Sequence, residues 1–117
     1  MADGVNKWIG IGNLGTDPEL RYTANGSAVT SFRMACSHTT DKKEFTEWVS
    51  VVTWNKLAEL CGQYLEKGRK VYVEGRLQAS VWAPEGGELR ASLTVFTWRL
   101  EVHGDSRARG PEPQPSD

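Results

Sequence analysis

The sequence predicts a single small all-β domain with one helix, in which five short, bent strands form a partly open Greek-key barrel. Five strand-like segments recur along the chain, most of them with alternating apolar and polar residues. A single segment of helical spacing lies between the third and the fourth. The 117 residues, 38% hydrophobic and 25% charged, suffice for one domain to bury a core.

The first two strands are predicted at residues 7–14 and 27–38. Residues 7–14 (KWIGIGNL) are apolar with glycine interruptions, which suits a strand that bends at a barrel corner. Turns are predicted at Asp17-Pro18 and at Asn25-Gly26, because Asn and Gly tolerate positive φ. Residues 27–38 alternate cleanly, and one face carries Ala28, Thr30, Phe32, Met34 and Cys36.

The polar residues 39–46 (TTDKKEFT) predict an exposed hairpin loop, and residues 47–54 (EWVSVVTW) predict the third strand. The helix is predicted at residues 56–66, where apolar side chains recur at helical spacing. Asn55 is the predicted cap of this helix and Gly68 its stop signal.

The fourth strand is predicted at residues 70–82 with a bend at Gly75, and the fifth at residues 89–102. Pro84 and Gly86-Gly87 form the loop between them. A helix of about ten residues between strands three and four is typical of the OB-fold and rare in other small barrels such as SH3-like ones. Residues 1–104 thus form one OB-fold domain, and the Pro-rich residues 105–117 are predicted to be a disordered tail.

Composition narrows the function classes. The chain has 14 basic and 15 acidic side chains, a net charge of −1, which argues against a nonspecific polycation but not against a local basic groove. No apolar run is long enough for a membrane span, and the first 20 residues lack a secretion signal, so a cytoplasmic protein is expected.

The cysteines and histidines signal no catalytic or metal site. Cys36 and Cys61 lie 25 residues apart with no ligand-spaced partner, which predicts two buried thiols in a reducing compartment. His38 and His103 are isolated from any nucleophile motif. We therefore expect a protein that is not an enzyme and holds neither a cofactor nor a metal.

Five of the eleven aromatic residues are tryptophans, and their positions carry the functional argument. Trp48 and Trp54 share one face of the third strand, while Val49 and Val51 supply the core from the other. Indoles on the outer face either stack on bases or lie in a subunit interface or second core. Trp82, beside the Gly-rich loop, is predicted to stack or to anchor that loop. Trp8 and Trp98 are predicted in the core or an interface.

Charge is spread unevenly along the chain. Residues 67–99 carry six basic and three acidic side chains, a local balance of +3, whereas residues 100–117 carry two basic and four acidic ones. This asymmetry predicts a phosphate-tracking strip on one face of a nearly neutral protein, although each member taken alone could belong to an ordinary solvated surface.

Two long segments, residues 4–29 (GVNKWIGIGNLGTDPELRYTANGSAV) and 46–77 (TEWVSVVTWNKLAELCGQYLEKGRKVYVEGRL), closely resemble bacterial-type single-stranded DNA-binding proteins, the SSB family. The resemblance covers about residues 4–100. It implies an OB-fold protein, usually a homotetramer, that binds and protects single-stranded DNA without sequence readout during replication, recombination and repair. Such a protein has no catalytic residues and is expected in the nucleoid-associated cytoplasm.

The resemblance also implies the residues that contact DNA. The stacking aromatics of the family match Trp48, Trp54 and Trp82, and basic positions of its DNA path match Lys7, Arg21, Lys56 and Lys67. The basic strip and the outward faces of the strands add three arginines to the predicted DNA-binding set, Arg33, Arg76 and Arg90.

The chain departs from the family pattern at several points. Thr40 stands where many members carry another Trp, so one stacking contact is lost or shifted to Phe45. Ser50 replaces a common basic residue, and residues 78–82 (QASVW) are less basic than usual, which predicts a weaker salt dependence of binding. The chain stops at PEPQPSD without an acidic, Phe-tipped end. This predicts a truncated chain or a short paralogue, plasmid- or phage-borne, that recruits replication and repair proteins only weakly.

Two alternatives remain at this point, a primosome-accessory OB dimer and an OB module for protein interaction. Assembly into an oligomer is expected whichever of these functions the protein has. The reason is that the apolar run of the first strand leaves an edge that can pair with a second subunit. Tyr72, Glu74 and Arg76 on the fourth strand predict a second, more polar subunit contact. No membrane partner is expected.

Overall fold

The computed structural model of the protein describes residues 4–103. Six strands and one helix follow one another along the chain: β1 (Trp8–Leu14), β2 (Glu19–Tyr22), β3 (Ala28–Thr40), β4 (Lys43–Trp54), α1 (Asn55–Tyr64), β5 (Lys70–Trp82) and β6 (Arg90–His103). The predicted tail at residues 105–117 lies outside the described residues.

The strands form one sheet in the order β1-β5-β6-β4-β3-β2, and β1 also pairs with β3. That pairing, Asn13 with Ala35 and Leu14 with Met34, closes five strands into a barrel, with β2 added outside on β3. The β4–β6 pair is parallel and the others are antiparallel. The predicted OB-fold is confirmed.

The inward faces of the strands make the core. Period-two alternation aims one set of side chains at the barrel interior, and apolar burial there is the main stabilising term. Helix α1 packs against β3 and β4 with Ala58 buried, and the Thr30 hydroxyl donates to the Ala58 carbonyl at 2.6 Å. The core cluster contains Leu14, Phe32, Met34, Val49, Val51, Cys61, Leu65, Val71, Val73 and Val95.

Two predictions of element boundaries were wrong. The short strand β2 was missed because all four of its residues are exposed and show no apolar alternation. The predicted loop at residues 39–46 is mostly strand, since β3 and β4 stay paired up to Thr40 and Lys43. The turn is only Asp41-Lys42, both with positive φ, as a two-residue hairpin turn requires.

The helix ends also differ from the prediction. Asn55 is not a side-chain cap; the N-cap residue is Trp54, which makes no side-chain capping hydrogen bond, and Asn55 itself has φ of 57°. The helix ends at Tyr64, where the Leu65 N–H donates to the Cys61 carbonyl. Gly68, with φ of 93°, shapes the following turn, and its N–H donates to the Leu14 carbonyl.

Gly75 lies at a β-bulge, in agreement with the predicted bend. Glu74 pairs with Arg99 and Gly75 with Thr97, so Trp98 is the extra residue of β6. A bulge places two successive side chains on the same side of a strand. Trp98 and Arg99 are accordingly both exposed. Of the two places predicted for Trp98, a core or an interface, the core of this chain is therefore wrong, and the interface stays a prediction.

Only some of the other residues that were predicted to be buried are buried. Trp8 is half-buried against the core cluster, and Cys61 is buried, as predicted. Cys36 is only half-buried. Ala79 and Val81 follow the core-facing alternation of β5 but are exposed, because the β5–β6 hairpin extends beyond the region where the barrel has an interior.

Candidate nucleic-acid interface

The outer face of β4 presents two indoles. Trp48 is 47% exposed and Trp54 44% exposed, whereas Val49, Val51 and Thr53 between them are buried. Strand alternation produces this division, so the predicted two faces of β4 are confirmed. At about 3.3 Å per residue, the two indoles lie roughly 20 Å apart along the strand.

Trp48 is held in place by two neighbours from other elements. A Cβ added to Gly15 would lie 2.4 Å from Cζ3 of the indole, so a side chain at this position would displace the ring. The Gly15 N–H donates to the Arg33 carbonyl at 2.7 Å, and the Arg33 guanidinium carbon lies 5.4 Å from the centre of the Trp48 ring. This distance allows a cation–π contact.

Trp82 and Arg90 are opposite each other at the end of the β5–β6 hairpin. Trp82 is 47% exposed. An open groove of about 440 Å³ lies between this hairpin and β3–β4. Its lining is Arg33, Trp48, Ser50, Trp82, Arg90, Ala91, Ser92 and Leu93. The groove therefore brings together two indoles and two guanidinium groups that are far apart in sequence.

A second groove of about 430 Å³ extends the first one past Arg33 and Ser50, which line both. It reaches Asp17 in the loop between β1 and β2 and Glu19 at the start of β2, and both carboxylates are exposed. The Asp17 carboxylate accepts a hydrogen bond from the Lys67 N–H at 2.8 Å. The surface thus has a basic centre and an acidic end.

Trp54 lies in a different cross-strand row. Arg21 pairs with Val29, and Val29 pairs with Trp54, so these three side chains share the outer face. Lys56 is exposed two residues beyond Trp54, in the first turn of α1. The C-terminal end of β4, far from the β5–β6 hairpin, therefore groups Arg21, Trp54 and Lys56.

The positive charge of the groove is available to an anion. Arg33 and Arg90 are exposed, and no carboxylate among residues 4–103 forms an ion pair with either of them. Arg76, on β5, is also exposed and has its guanidinium carbon 4.6 Å from the centre of the Phe96 ring. Three of the predicted arginines thus belong to one outer face.

Lys7 is directed elsewhere. Its ammonium lies 3.6 Å from Oε2 of Glu74, whose side chain is 10% exposed on the outer surface of β5. The Trp98 indole N–H donates to Oε1 of Glu74 at 3.1 Å, and the Tyr72 hydroxyl donates to Oε2 at 3.0 Å. We call this group the Glu74 network; it ties the segment before β1 to β5 and β6.

Hydrogen bonds from Trp98 and Tyr72 lower the pKa of Glu74, and the Lys7 charge lowers it further. A carboxyl whose pKa is lower in the folded state stabilises the fold above its unfolded pKa of about 4.3, and this stabilisation is lost as the pH falls. We expect the stability advantage of the native protein over Glu74→Gln to be full at pH 7 and to shrink below about pH 4.3. Thermal melts across this range measure it; an advantage independent of pH would contradict the assignment.

Phe45 lies on the same face of the β3–β4 hairpin as Thr40, where the family aromatic is absent. It pairs with His38, and the two rings stack with centroids 5.5 Å apart. Since Phe45 and Trp48 are three residues apart on β4, they lie on opposite faces of the hairpin. A stacking contact at Phe45 would therefore belong to the face of Thr40 and not to the face of Trp48, and the predicted shift from Thr40 to Phe45 stays a prediction.

Sequence reasoning missed two residues of this surface, Gly15 and Phe96. Gly15 has no sequence signal, because the requirement for a glycine comes from the Trp48 ring folded onto it. Phe96 had a signal: in β6, period-two alternation places it with Arg90, Ser92 and Thr94, opposite the buried Val95.

Within residues 4–103, no helix is long and apolar enough to cross a bilayer, and no cluster of three or more His, Cys, Asp or Glu side chains could hold a metal ion.

Comparisons with known proteins show the family and the fold of this chain. The model of the single-strand binding protein family matches residues 5–102. Single-stranded DNA-binding protein 1 of Chlorobaculum tepidum is 51% identical over 87 residues, 70% of this chain and 54% of that protein. The chain thus spans about half the length of this curated relative. The structure of a Plasmodium falciparum SSB complex with ssDNA superposes with a TM-score of 0.78 at 24% identity, over 89% of this chain and 99% of that one, which shows the shared fold.

Proposed function

The chain belongs to the single-strand binding protein family, and from this membership we propose that it binds and protects single-stranded DNA without reading its sequence. The observation that carries the proposal is the grouping of exposed Trp48, Trp54 and Trp82 with exposed arginines on the outer face of one barrel. The protein acts by binding and performs no chemical step. Replication, recombination and repair are the processes that it serves.

Stacking explains affinity without sequence preference. Every base has a flat π face, and stacking on an aromatic side chain contributes about 1–3 kcal/mol whichever base it is. Trp48 and Trp54 are nearly half exposed, although neither covers the core. A strand whose bases lie on the indoles removes that apolar surface from water.

The basic side chains contact the phosphates between the stacked bases. Arg33 and Arg90 line the groove beside Trp48 and Trp82, and Arg21 and Lys56 flank Trp54. Arg76 lies on the same face. Lys67 is exposed in the segment that follows α1. Lys7 forms an ion pair with Glu74, so it contacts DNA only at the edge of this path.

Assembly into a homotetramer, built as a dimer of dimers, extends the path over several subunits. Among the described residues, Trp8–Gly12 pair with β5 on one side only, so this part of β1 has an edge for a second subunit. Ile9 and Ile11 beside it are 53% and 47% exposed. Tyr72 and Glu74 offer the more polar second contact. We place the assembly in the cytoplasm, associated with the nucleoid.

The affinity for single-stranded DNA is expected to depend only weakly on salt, because few phosphates are contacted. For single strands the slope of log K against log salt changes by about 0.7 for each phosphate neutralised. We expect Arg33→Gln with Arg90→Gln to make the slope shallower by about 1.4 units. Titrations of oligo-dT at several salt concentrations measure it, and Lys70→Gln, at the far end of β5 opposite His103, is the control. An unchanged slope in the double variant would remove both arginines from the path.

Equilibrium binding of fluorescently labelled oligo-dT tests the proposal itself. We expect tight binding to single strands of dT and of mixed sequence, and weak binding to the corresponding duplex, because paired bases are not free to stack on indoles. An OB module for protein interaction would bind neither. A primosome-accessory dimer would bind single strands but return half the tetramer mass in ultracentrifugation.

A further inference from the structure

Phe96 stands on the outer face of the barrel at the middle of the proposed DNA path. It pairs with Val52 of β4 on one side and with Arg76 of β5 on the other. Residues opposite each other in a ladder share a face, so the Phe96 ring is on the side of the sheet that carries Trp48 and Trp54. The ring is half-buried and is not part of the core, which lies behind it at Val95.

The Arg76 guanidinium lies over this ring. Its carbon is 4.6 Å from the ring centre, and Nη1 donates to Oε1 of Gln78 at 3.3 Å. Gln78 is on the same face two residues along β5, so the ring and the amide together hold a side chain that is otherwise exposed. A guanidinium is planar, stacks on aromatic faces and keeps further N–H donors free for a phosphate.

The arrangement repeats that of Arg33 over Trp48. The two arginine–aromatic pairs start from β3 and β5, the outer strands of this face. One cross-strand row runs between them and contains Arg33, Ser50, Thr94 and Gln78. The middle of this row, at Ser50 and Thr94, carries small side chains. Two cationic stacking positions therefore face each other across a shallow trough.

The distance between Trp48 and Trp54 leaves room for a further base-stacking position at the row of Val52 and Phe96. Val52, the partner of Phe96, is four residues from Trp48 and two from Trp54, or roughly 13 and 7 Å along β4. A strand that runs between the two indoles passes the row of Val52 and Phe96. Without an aromatic there, the bases between the tryptophans would have no stacking surface.

We propose that the Arg76–Phe96 pair is a further base-stacking position of this protein, in which Phe96 holds Arg76, a base stacks on the pair and the guanidinium contacts the neighbouring phosphate. This inference rests on the proposed function and adds to it a binding residue, Phe96, and a role for Arg76 beyond its charge. It makes the path continuous from the β5–β6 hairpin to the start of α1.

The test compares Phe96→Leu with native protein on two ligands, oligo-dT and the same oligonucleotide with abasic residues in place of its bases. Leucine keeps apolar volume but offers no flat face. We expect affinity for oligo-dT to fall about 5-fold to 20-fold, the lower part of the range for one stacked base, and affinity for the abasic strand to stay within twofold. Tyr64→Leu, at an exposed aromatic on α1 and not on the tryptophan face, is the matched control.

Arg76→Gln gives a second, independent variant at an exposed position, should Phe96→Leu fold poorly. We expect it to weaken binding of both ligands, because it loses a phosphate contact as well as the stack, and to reduce the further effect of Phe96→Leu on oligo-dT. Unchanged affinity of folded Phe96→Leu, or an equal loss on abasic and dT strands, would overturn the inference. Native protein that fails to bind oligo-dT would instead overturn the proposed function.

Discussion

Replacing Trp48 and Trp54 together by alanine is expected to weaken the binding of oligo-dT by about 2–6 kcal/mol, because each indole contributes about 1–3 kcal/mol to one stacked base. The two residues lie roughly 20 Å apart along β4, and effects at well-separated sites add. Fluorescence anisotropy with labelled oligo-dT measures the loss at fixed salt.

The fold should survive these substitutions, because both side chains are on the outer face and nearly half exposed. Circular dichroism and thermal melts of the double variant check this. Tyr64→Ala is the matched control, since Tyr64 is 63% exposed on α1 rather than on the tryptophan face. If the folded double variant binds as tightly as native protein, or if Tyr64→Ala weakens binding equally, stacking on β4 is not the basis of affinity.

Replacing Gly75 by alanine is expected to destabilise the fold by about 2–4 kcal/mol. A Cβ at this position would lie 2.4 Å from the carbonyl oxygen of Phe96 and 2.9 Å from its carbonyl carbon, so backbone must move. The collision falls at the β-bulge that sets the register of β5 on β6 and directs Trp98 outward. Chemical denaturation of the two proteins measures the difference.

Gly87→Ala provides the control for this substitution within the same hairpin. A Cβ there would meet only Pro84, at ordinary contact distances of 3.5 Å and more, so we expect a change within about 0.5 kcal/mol. Equal stability of Gly75→Ala and native protein would show that β5 and β6 can separate at the bulge without cost, against the close approach of Gly75 to the Phe96 carbonyl.

The two faces of β4 could be predicted from sequence because alternation is a local property. Once Val49 and Val51 are assigned to the core, alternation along the strand places Trp48 and Trp54 on the outer face. The same argument applied to β6 would have placed Phe96 on the outer face. It was not available for β2, whose four residues are all exposed and show no apolar alternation.

The rest of the surface depends on contacts between distant segments. The Glu74 network joins residues 7, 72, 74 and 98, and the bulge that turns Trp98 outward is a register shift between two strands, which no single segment encodes. The exposure of Val81 has a similar cause. Its alternation marks a core position, but the barrel has ended before the β5–β6 hairpin does.

Composition alone concealed the basic groove. The net charge of −1 is an average over the whole chain, whereas Arg33, Arg76 and Arg90 reach one face from three different strands. A nearly neutral protein of this kind should depend more on stacking and less on phosphate neutralisation than a more basic relative.

The most direct test of the stacking surface is intrinsic tryptophan fluorescence during titration with unlabelled oligo-dT. Bases stacked on indoles are expected to quench the emission of native protein at the stoichiometry of binding. A variant with phenylalanine at positions 48, 54 and 82 keeps Trp8 and Trp98 as reporters and should bind oligo-dT with little quenching. Binding by native protein without quenching, or equal quenching in the variant, would contradict the assignment of Trp48, Trp54 and Trp82 as the stacking platforms.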